Sequence, residues 1–236
     1  MPLDHVPPSD QVCEEMRERS DTCMLAFSAG KDAIAAWIQL RRFFPKIIPF
    51  FMYLIPDLGF VNDDLAYYED FFGTRIIRVP HPSLYRMLNN LVFQPPERVS
   101  IIQAAGLANF DYQHVVKLLR EDLQLSTAMY SATGVRAADS PQRYMAVKRY
   151  GAINHRQKSF FPIWDWNKER MRRELLEAKV KLGIQYRWFG RSFDGIDWRF
   201  LSVLKTASPK DYATIKEWFP LVDVEILRRE YAKEKV

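Results

Sequence analysis

A short polar turn at residues 28–32, with the sequence Ser-Ala-Gly-Lys-Asp, has the residue types best suited to bind phosphate. An apolar run precedes the turn, and an amphipathic stretch at residues 34–44 follows it. A strand, a turn of small residues and a helix bring unpaired backbone N–H groups to the positive end of a helix dipole. Lys31 adds a mobile cation and Ser28 a hydroxyl donor. The pattern predicts phosphate-mediated nucleotide binding by Phe27, Ser28, Ala29, Gly30, Lys31, Asp32 and Ala33.

Two common phosphate-binding loops are excluded by the spacing of these residues. A Walker A loop has a glycine five residues before its Gly-Lys pair and Ser or Thr directly after it. This chain has Leu25 and Asp32 at those two positions. A dinucleotide fingerprint has three spaced glycines, and here only Gly30 is present. An ordinary tight turn between a strand and a helix stays open as the alternative.

The turn resembles the PP-loop of the ATP-pyrophosphatase superfamily, which has the pattern S-G-G-x-D-S. The sequence departs from that pattern at Ala29, in place of the middle glycine, and at Ala33, in place of the final serine. Because alanine disfavours the left-handed region, we expect the backbone at Ala29 to avoid positive φ. Ala33 removes one hydroxyl that would otherwise face phosphate. The matching positions are Ser28, Gly30, Lys31 and Asp32.

Three later blocks extend the resemblance. Residues 133–143 resemble the G-x-R-x-x-(E/Q/D)-S-x-x-R segment of the phosphoadenosine phosphosulfate (PAPS) reductase branch, and residues 161–166 its P-L-x-D-W segment. Residues 57–60 lie where that branch has a D-T-G-Y turn, with Leu58 as a departure. The resemblance covers residues 23–166 and implies an adenine nucleotide alpha hydrolase-like fold. It adds Asp57, Gly59, Gly134, Arg136, Ser140 and Arg143 to the predicted nucleotide-binding residues.

The side chains in these blocks each have a chemical and a structural interpretation. Arg136 and Arg143 can present planar donor forks to phosphate or sulfate, or they can be solvated surface arginines. Asp32 either favours the helix dipole or positions Mg²⁺ or the loop backbone. Asp57 either orients a ribose or a metal, or forms a turn. The predicted catalytic residues are Lys31, Asp32 and Arg136, with Asp32 also the candidate metal ligand.

Two cysteines, Cys13 and Cys23, limit the sulfur chemistry that the resemblance implies. A reductase of that branch attacks sulfate sulfur with a cysteine near its C-terminus, in an E-C-G-x-H segment. This chain has no cysteine after Cys23, which falls within a predicted strand, while Cys13 falls in a polar N-terminal helix. Neither is suited to act as a thiolate nucleophile. The spacing also argues against a zinc ribbon, a disulfide framework or an iron–sulfur cluster.

The remaining chemistry of the superfamily is attack at the α-phosphate of ATP, which releases pyrophosphate and adenylates an acceptor. Such a step requires positioned cations, backbone donors and Mg²⁺. We therefore predict an enzyme that binds ATP, or a PAPS-like adenine nucleotide, with Mg²⁺; a nucleic-acid base is one candidate acceptor. One alternative is a non-catalytic nucleotide-binding interaction subunit, which Ala29 and Ala33 favour. Another is sulfotransfer from PAPS with the thiol of a partner protein.

Alternating apolar and amphipathic segments predict the fold that positions these residues. Apolar runs at residues 22–27, 50–55, 75–79 and 126–132 read as strands, with Pro49 at the start of the second and helical segments between them. The prediction is an α/β fold with an open, mostly parallel sheet flanked by helices and a C-terminal helical extension. Because parallel strands end at one edge of the sheet, residues that follow the strands converge there. They are Ser28, Asp57, His81 and Arg136.

Composition agrees with a globular chain that binds an anion. The 236 residues are 48% hydrophobic and 14% aromatic, and the net charge of +5 suits an anionic substrate or partner. We expect a helical lead-in at 1–20, a nucleotide-binding domain at 21–182 and a helical cap at 183–236. The C-terminal helices either cover the sheet domain or form a homodimer or partner surface. No apolar run reaches membrane-spanning length, so we expect a cytoplasmic protein with no membrane association.

Overall fold

The computed structural model describes residues 3, 5–126 and 128–233, and it is an α/β structure. The strands are β1 (Thr22–Ala26), β2 (Lys46–Tyr53), β3 (Ile77–Pro80), β4 (Ser131–Thr133), β5 (Ile153–Asn154) and β6 (Ser159–Phe160). The helices are α1 (Ser9–Arg19), α2 (Lys31–Leu40), α3 (Gly59–Phe72), α4 (Pro82–Asn89), α5 (Pro96–Ala105), α6 (Tyr112–Asp122), α7 (Pro141–Tyr150), α8 (Lys168–Glu177), α9 (Ile184–Phe189), α10 (Trp198–Ala207), α11 (Pro209–Trp218) and α12 (Asp223–Lys233). A 3₁₀ turn forms at Ala137–Asp139.

The strands form one open sheet in the order β3-β2-β1-β4-β6-β5. The pairs β1–β2, β1–β4 and β4–β6 are parallel, and β5 pairs antiparallel with β6 at the edge. The prediction of an open, mostly parallel sheet with flanking helices is confirmed. The strand order reverses beside β1, because β2 lies on one side of it and β4 on the other. In sheets of this kind such a switch point is where ligands bind.

Strand β1 lies at the centre of the sheet, and its sequence accounts for that position. Its three middle residues, Cys23 to Leu25, are all buried, as expected for a parallel strand covered on both faces. The expectation that Pro49 starts the second strand was wrong, since Pro49 lies inside β2 opposite Leu25. Its neighbour Phe50 accepts a hydrogen bond from the Phe27 N–H at 2.9 Å. The nitrogen of Pro49, which carries no hydrogen, therefore lies on the edge of β2 away from β1. The β1–β2 ladder loses no hydrogen bond as a result.

Other boundaries also differ from those predicted. The fourth strand was expected at 126–132 but runs only over Ser131–Thr133. Ser126 folds back locally instead, because its hydroxyl accepts from Ala128 N–H and its carbonyl from Met129 N–H. The short edge pair β5–β6 was not predicted from the sequence. Two-residue strands carry too little periodicity to be recognised.

The described chain groups into two compact units. The first comprises Met1–Phe51, Tyr68–Arg78 and Gln113–Leu182, and the second comprises Met52–Tyr67, Val79–Tyr112 and Gly183–Val236. Both units combine segments that are distant in sequence. The contiguous domains at 1–20, 21–182 and 183–236 stay a prediction. No helix within the described ranges is long and apolar enough to cross a membrane.

Aromatic packing in the first unit fixes the end of β1. Trp37 stacks on Phe72 with ring centroids 4.0 Å apart, and it meets the edge of Phe27 at 5.0 Å. Tyr68 contacts Phe27 from another direction at 5.3 Å. Burial of each such ring contributes about 2 kcal/mol. Phe27, the first residue after β1, is therefore held rigidly in the core.

The second unit has its own aromatic cluster, formed by Phe60, Phe189, Phe193 and Phe200. Buried Asp211 holds the start of α3 by accepting hydrogen bonds from the N–H groups of Gly59 and Phe60. Asn62 is of a residue type that often caps helices, but it lies inside α3. The predicted C-terminal helices are present as α10, α11 and α12. Their role as a cap or a partner surface stays a prediction.

Candidate functional site

The loop at residues 27–30 joins β1 to α2 and has an unusual backbone. Ala29 is fully buried and has a φ of 55°, so the expectation that it avoids positive φ was wrong. The left-handed region disfavours a Cβ by about 1 kcal/mol, and the surrounding packing must offset that cost. The alanine therefore preserves the backbone conformation that a glycine would favour.

Helix α2 begins directly at the loop without a side-chain cap. Gly30 is its N-cap residue, with extended φ and ψ of −82° and 155°, and no side chain of the described residues caps the helix there. Ser28 is exposed, and its Oγ lies 3.4 Å from the Gly30 N–H. The exposed Ser28 hydroxyl thus lies beside the amides of the first turn, at the positive end of the helix dipole. This arrangement suits an anionic oxygen ligand.

Asp32 in the first turn of α2 joins two cations. Its Oδ2 accepts from Lys31 Nζ at 2.7 Å, and its Oδ1 accepts from Arg136 Nε at 2.9 Å. The three residues predicted as catalytic are therefore brought together in the first unit. In this arrangement the carboxylate positions the two cations beside the loop.

Arg136 is almost completely buried, with 3% of its side chain exposed. Besides Asp32, its guanidinium donates to Asp139 and to the carbonyl oxygen of Trp166, the latter at 3.3 Å. Its backbone N–H also donates to Asp139, at 3.3 Å. These hydrogen bonds hold the segment after β4 against the start of α2. They are made by the same guanidinium group that the sequence had assigned to phosphate.

Arg143 and Ser140 lie at the start of α7 and differ from Arg136 in exposure. Arg143 is half-exposed, and its Nη1 donates to Asp139 Oδ2 at 2.6 Å. Ser140 caps α7 by accepting from the Arg143 N–H at 3.2 Å. Asp139 therefore bridges the two arginines of the motif. Sequence reasoning did not select Asp139, although it occupies the acidic position of the G-x-R-x-x-(E/Q/D)-S pattern.

Gly134 is required by a close approach between β4 and α2. A Cβ built at Gly134 would lie 2.6 Å from the backbone oxygen of Asp32 and 2.9 Å from the nitrogen of Ala33. A larger residue at position 134 would therefore force the two backbone segments apart. The predicted convergence of the first loop with the segment after β4 is thus present in the structure.

Thr133, the last residue of β4, is a polar group that the sequence did not single out. It pairs with Ala26 at the end of β1, directly before the loop. Its Oγ1 is buried and has no hydrogen-bond partner among the described residues. A buried hydroxyl without a partner is rare in folded proteins and is explained when a ligand completes it. It lies at the strand ends where the switch point predicts a ligand.

Asp57 and Gly59 lie in the second unit. Asp57 is exposed with a φ of 59°, which fits the turn-forming interpretation. The N–H of Gly59 is engaged by Asp211, as described above. Nucleotide contacts from Asp57 and Gly59 stay predictions.

His81 also lies in the second unit and caps α4. Its Nδ1 accepts from the Ser83 N–H at 2.9 Å, and its Nε2 lies 2.6 Å from the Tyr112 hydroxyl. Because Nδ1 accepts, the neutral ring carries its proton on Nε2 and donates it to the Tyr112 oxygen. Burial lowers the pKa of His81, and the charge of Arg86 adds to that effect. The neutral imidazole is therefore favoured.

Both cysteines are buried as free thiols in the first unit. Burial raises the pKa of Cys13 well above its usual range, with Asp10 as a further contributor. Burial likewise raises the pKa of the Cys23 thiol. Both side chains are therefore thiols and not thiolates at neutral pH, in agreement with their proposed exclusion from nucleophilic roles.

A magnesium ion does not fit the Asp32 carboxylate as it stands. Mg²⁺ in nucleotide sites is held by one or two carboxylates together with substrate phosphates. Both oxygens of Asp32 already accept hydrogen bonds from cations. Within the described ranges no group of three or more His, Cys, Asp and Glu side chains could hold a metal. The role of Asp32 as a metal ligand stays a prediction.

Fold and site together define a class of protein: an α/β protein with an open, mostly parallel sheet and, at its switch point, a strand–loop–helix turn that suits an anion. The chain matches no protein-family model and no curated protein sequence.

The solved structures that are similar to the chain include the following two. One is an NH3-dependent NAD synthetase from Campylobacter jejuni, with 14% identity, 98% of this chain and 96% of that chain covered, and a TM-score of 0.46. The other is a predicted tRNA methyltransferase subunit from Methanocaldococcus jannaschii, with 16% identity, coverage of 81% and 91%, and a TM-score of 0.35. At these values neither likeness decides the function, which rests on the site itself.

Proposed function

We propose that the protein binds the polyphosphate of an adenine nucleotide at the 27–30 loop and cleaves ATP at the α-phosphate to activate an acceptor. The observation that carries the proposal is the left-handed Ala29 turn in front of a helix that lacks a side-chain cap. The turn lies beside β4 at the switch point of the sheet, where the buried Thr133 hydroxyl has no hydrogen-bond partner among the described residues. The resemblance to PP-loop proteins, PAPS reductases included, supplies the adenine nucleotide and the position of attack.

The reaction requires little covalent help from the protein. A nucleophilic oxygen or nitrogen of the acceptor forms a bond to the α-phosphorus, and the bond from that phosphorus to the bridging oxygen breaks. Pyrophosphate leaves, and the acceptor keeps the adenylate. The first-turn amides of α2 bind phosphate oxygens, and Lys31 exchanges its contact with Asp32 for one with phosphate. Arg136, held by Asp32 and Asp139, keeps the loop in the binding conformation.

Product analysis with ATP labelled at the α-phosphate tests the reaction. With Mg²⁺ and a panel of candidate acceptors, nucleic-acid bases included, we expect labelled AMP or an adenylated acceptor together with pyrophosphate. The substitution Lys31→Ala should weaken ATP binding about tenfold in a calorimetric titration, as loss of a charge-assisted contact predicts. Lys168→Ala, at an exposed lysine of α8, is the control. Release of ADP, or ATP affinity unchanged in Lys31→Ala, would contradict the proposal.

A second candidate is a nucleotide-binding subunit without catalysis. It is favoured by the Asp32 cluster, in which the carboxylate of Asp32 already accepts hydrogen bonds from both Lys31 and Arg136. Calorimetric binding of ATP without AMP formation from any acceptor would support this second candidate over the first. Sulfotransfer from PAPS with a partner's thiol is the third. Sulfite released from PAPS in the presence of thioredoxin would support it, whereas the two buried thiols of this chain cannot supply that step.

A further inference from the structure

A stretch of the first unit next to the candidate site has an uneven charge distribution. Residues 140–164 contain five lysines and arginines and no aspartate or glutamate. The whole chain contains 29 acidic residues in 236, which is one for about every eight positions. The stretch forms α7 and the β5–β6 hairpin. The modest net charge of the chain therefore conceals a basic stretch with no acidic residue of its own, although Asp139 at its border pairs with Arg143.

Helix α7 exposes most of its surface. Val147 is its one buried residue, whereas Met145 and Tyr150 are 58% and 67% exposed. Lys148 and Arg149 are exposed in its last turn. The Arg149 guanidinium lies 5.1 Å from the centroid of the Tyr150 ring, so a cation and an aromatic face are presented together. One buried side chain contributes little stability, and folding alone does not account for this composition.

The hairpin continues the same charge pattern. His155 and Arg156 are exposed in the turn between β5 and β6. The hydroxyl of Tyr130 hydrogen-bonds to His155 Nδ1 at 2.8 Å, which holds the histidine ring in place. Only two residues lie between Tyr150 and the start of β5, so the end of α7 and the hairpin are within about 11 Å of each other. We call α7 and the turn 155–157 the basic surface.

We propose that the basic surface binds single-stranded nucleic acid. Arg143 is paired with Asp139, but Lys148, Arg149 and Arg156 have no acidic residue beside them in the sequence, and such cations bind a phosphate backbone and release its counterions. An exposed tyrosine beside an arginine is a platform on which an unpaired base stacks, whereas the bases of a duplex are already stacked on each other. The single strand is therefore favoured over the duplex. An acidic protein would match the charge but would leave the aromatic platform unused.

The binding itself does not depend on ATP. If the proposed adenylation holds, the bound strand carries the acceptor, and this second statement rests on the proposed function. The binding experiment omits nucleotide and Mg²⁺, so the two proposals can fail separately.

Fluorescence anisotropy of the full chain with a labelled oligothymidylate of about 20 nucleotides tests the proposal, because that length exceeds ordinary single-strand site sizes. We expect saturable binding that weakens with salt and is stronger than binding to a duplex of the same length. Lys148→Glu with Arg149→Glu should reduce affinity at least about tenfold and make the salt slope shallower by about 1.4. Tyr150→Ala should reduce affinity about fivefold or more without changing that slope.

The matched control is Lys168→Glu with Arg172→Glu on α8, which makes the same change in net charge at two exposed positions. It should leave oligonucleotide affinity within about twofold of the wild type if charge acts locally. An equal loss in both double variants would overturn the proposal, since a general charge effect would explain it. So would tighter binding to the duplex, competition by polyglutamate as effective as that by oligonucleotide, or an unchanged affinity in Tyr150→Ala.

Discussion

Arg136 is a buried cation whose guanidinium bonds to two carboxylates and a backbone oxygen. Burying an arginine costs several kcal/mol, and the contacts with Asp32 and Asp139 offset that cost. Its role in the folded protein is to hold the segment after β4 against α2. An exposed arginine could have bound phosphate directly, but it could not have fixed the loop.

Replacement of Arg136 should therefore be far more costly than replacement of its neighbour. Arg136→Met keeps most of the volume but leaves Asp32 and Asp139 without their shared cation, and we expect a loss of about 3 kcal/mol in the free energy of unfolding. Arg143→Ala removes an exposed ion pair with the same Asp139 and should cost less than about 1 kcal/mol. Urea unfolding measures both. Equal, small losses would show that the Arg136 contacts are not essential to the fold.

Helix starts in this protein differ in whether a side chain accepts hydrogen bonds from their first N–H groups. The start of α2 has no side-chain cap, that of α3 is held by the distant Asp211, and that of α4 is capped by His81. A side-chain cap contributes about 1 kcal/mol. Among the described helices, α1, α5, α9 and α11 also begin without one, so the missing cap at α2 is not distinctive in itself. What distinguishes the start of α2 is its place directly after β1 and next to the segment that follows β4, where a helix N-terminus favours an anion.

The cap of α4 should make stability depend on pH. The pKa of His81 is lowered from its ordinary value of 6.5, so the cap contributes fully above that pH and its contribution is lost as pH falls through the folded-state pKa. His81→Asn keeps a capping acceptor that does not titrate. Urea unfolding between pH 7 and 5 should show a steeper loss of stability in the wild type than in His81→Asn. Identical slopes would contradict the assignment of His81 as an uncharged cap.

Sequence reasoning predicted what local pattern and strand order determine. The apolar run of β1, the small turn and the amphipathic start of α2 indicated the loop, and parallel strands indicated its convergence with Arg136. It failed where tertiary contacts decide. The left-handed Ala29 is imposed by packing around a buried methyl, which intrinsic preference cannot indicate. The cap by Asp211 spans more than 150 positions, and no local pattern contains it.

At the scale of the whole molecule, both thiols are placed away from solvent in the first unit. Cys13 packs in α1 with its Sγ 4.0 Å from the Pro162 oxygen, and Cys23 lies in the central strand. A protein that used its own thiolate would require one of them at the surface or beside a cation. The reaction proposed for this chain needs neither cysteine. The burial of both thiols is thus compatible with adenylation, but it argues against sulfotransfer by this chain without a partner's thiol.

Thiol labelling tests that separation. We expect the native protein to react with Ellman's reagent only on the timescale of opening, and both thiols to react at once in denaturant. The variant with Cys13→Ala and Cys23→Ala should lose about 2 kcal/mol of stability from two small buried groups but keep its affinity for ATP. Rapid labelling of the native protein would show that a thiol is accessible after all. Normal nucleotide binding with complete loss of turnover in the cysteine-free variant would assign a chemical role to a thiol, and adenylation without sulfur would then be wrong.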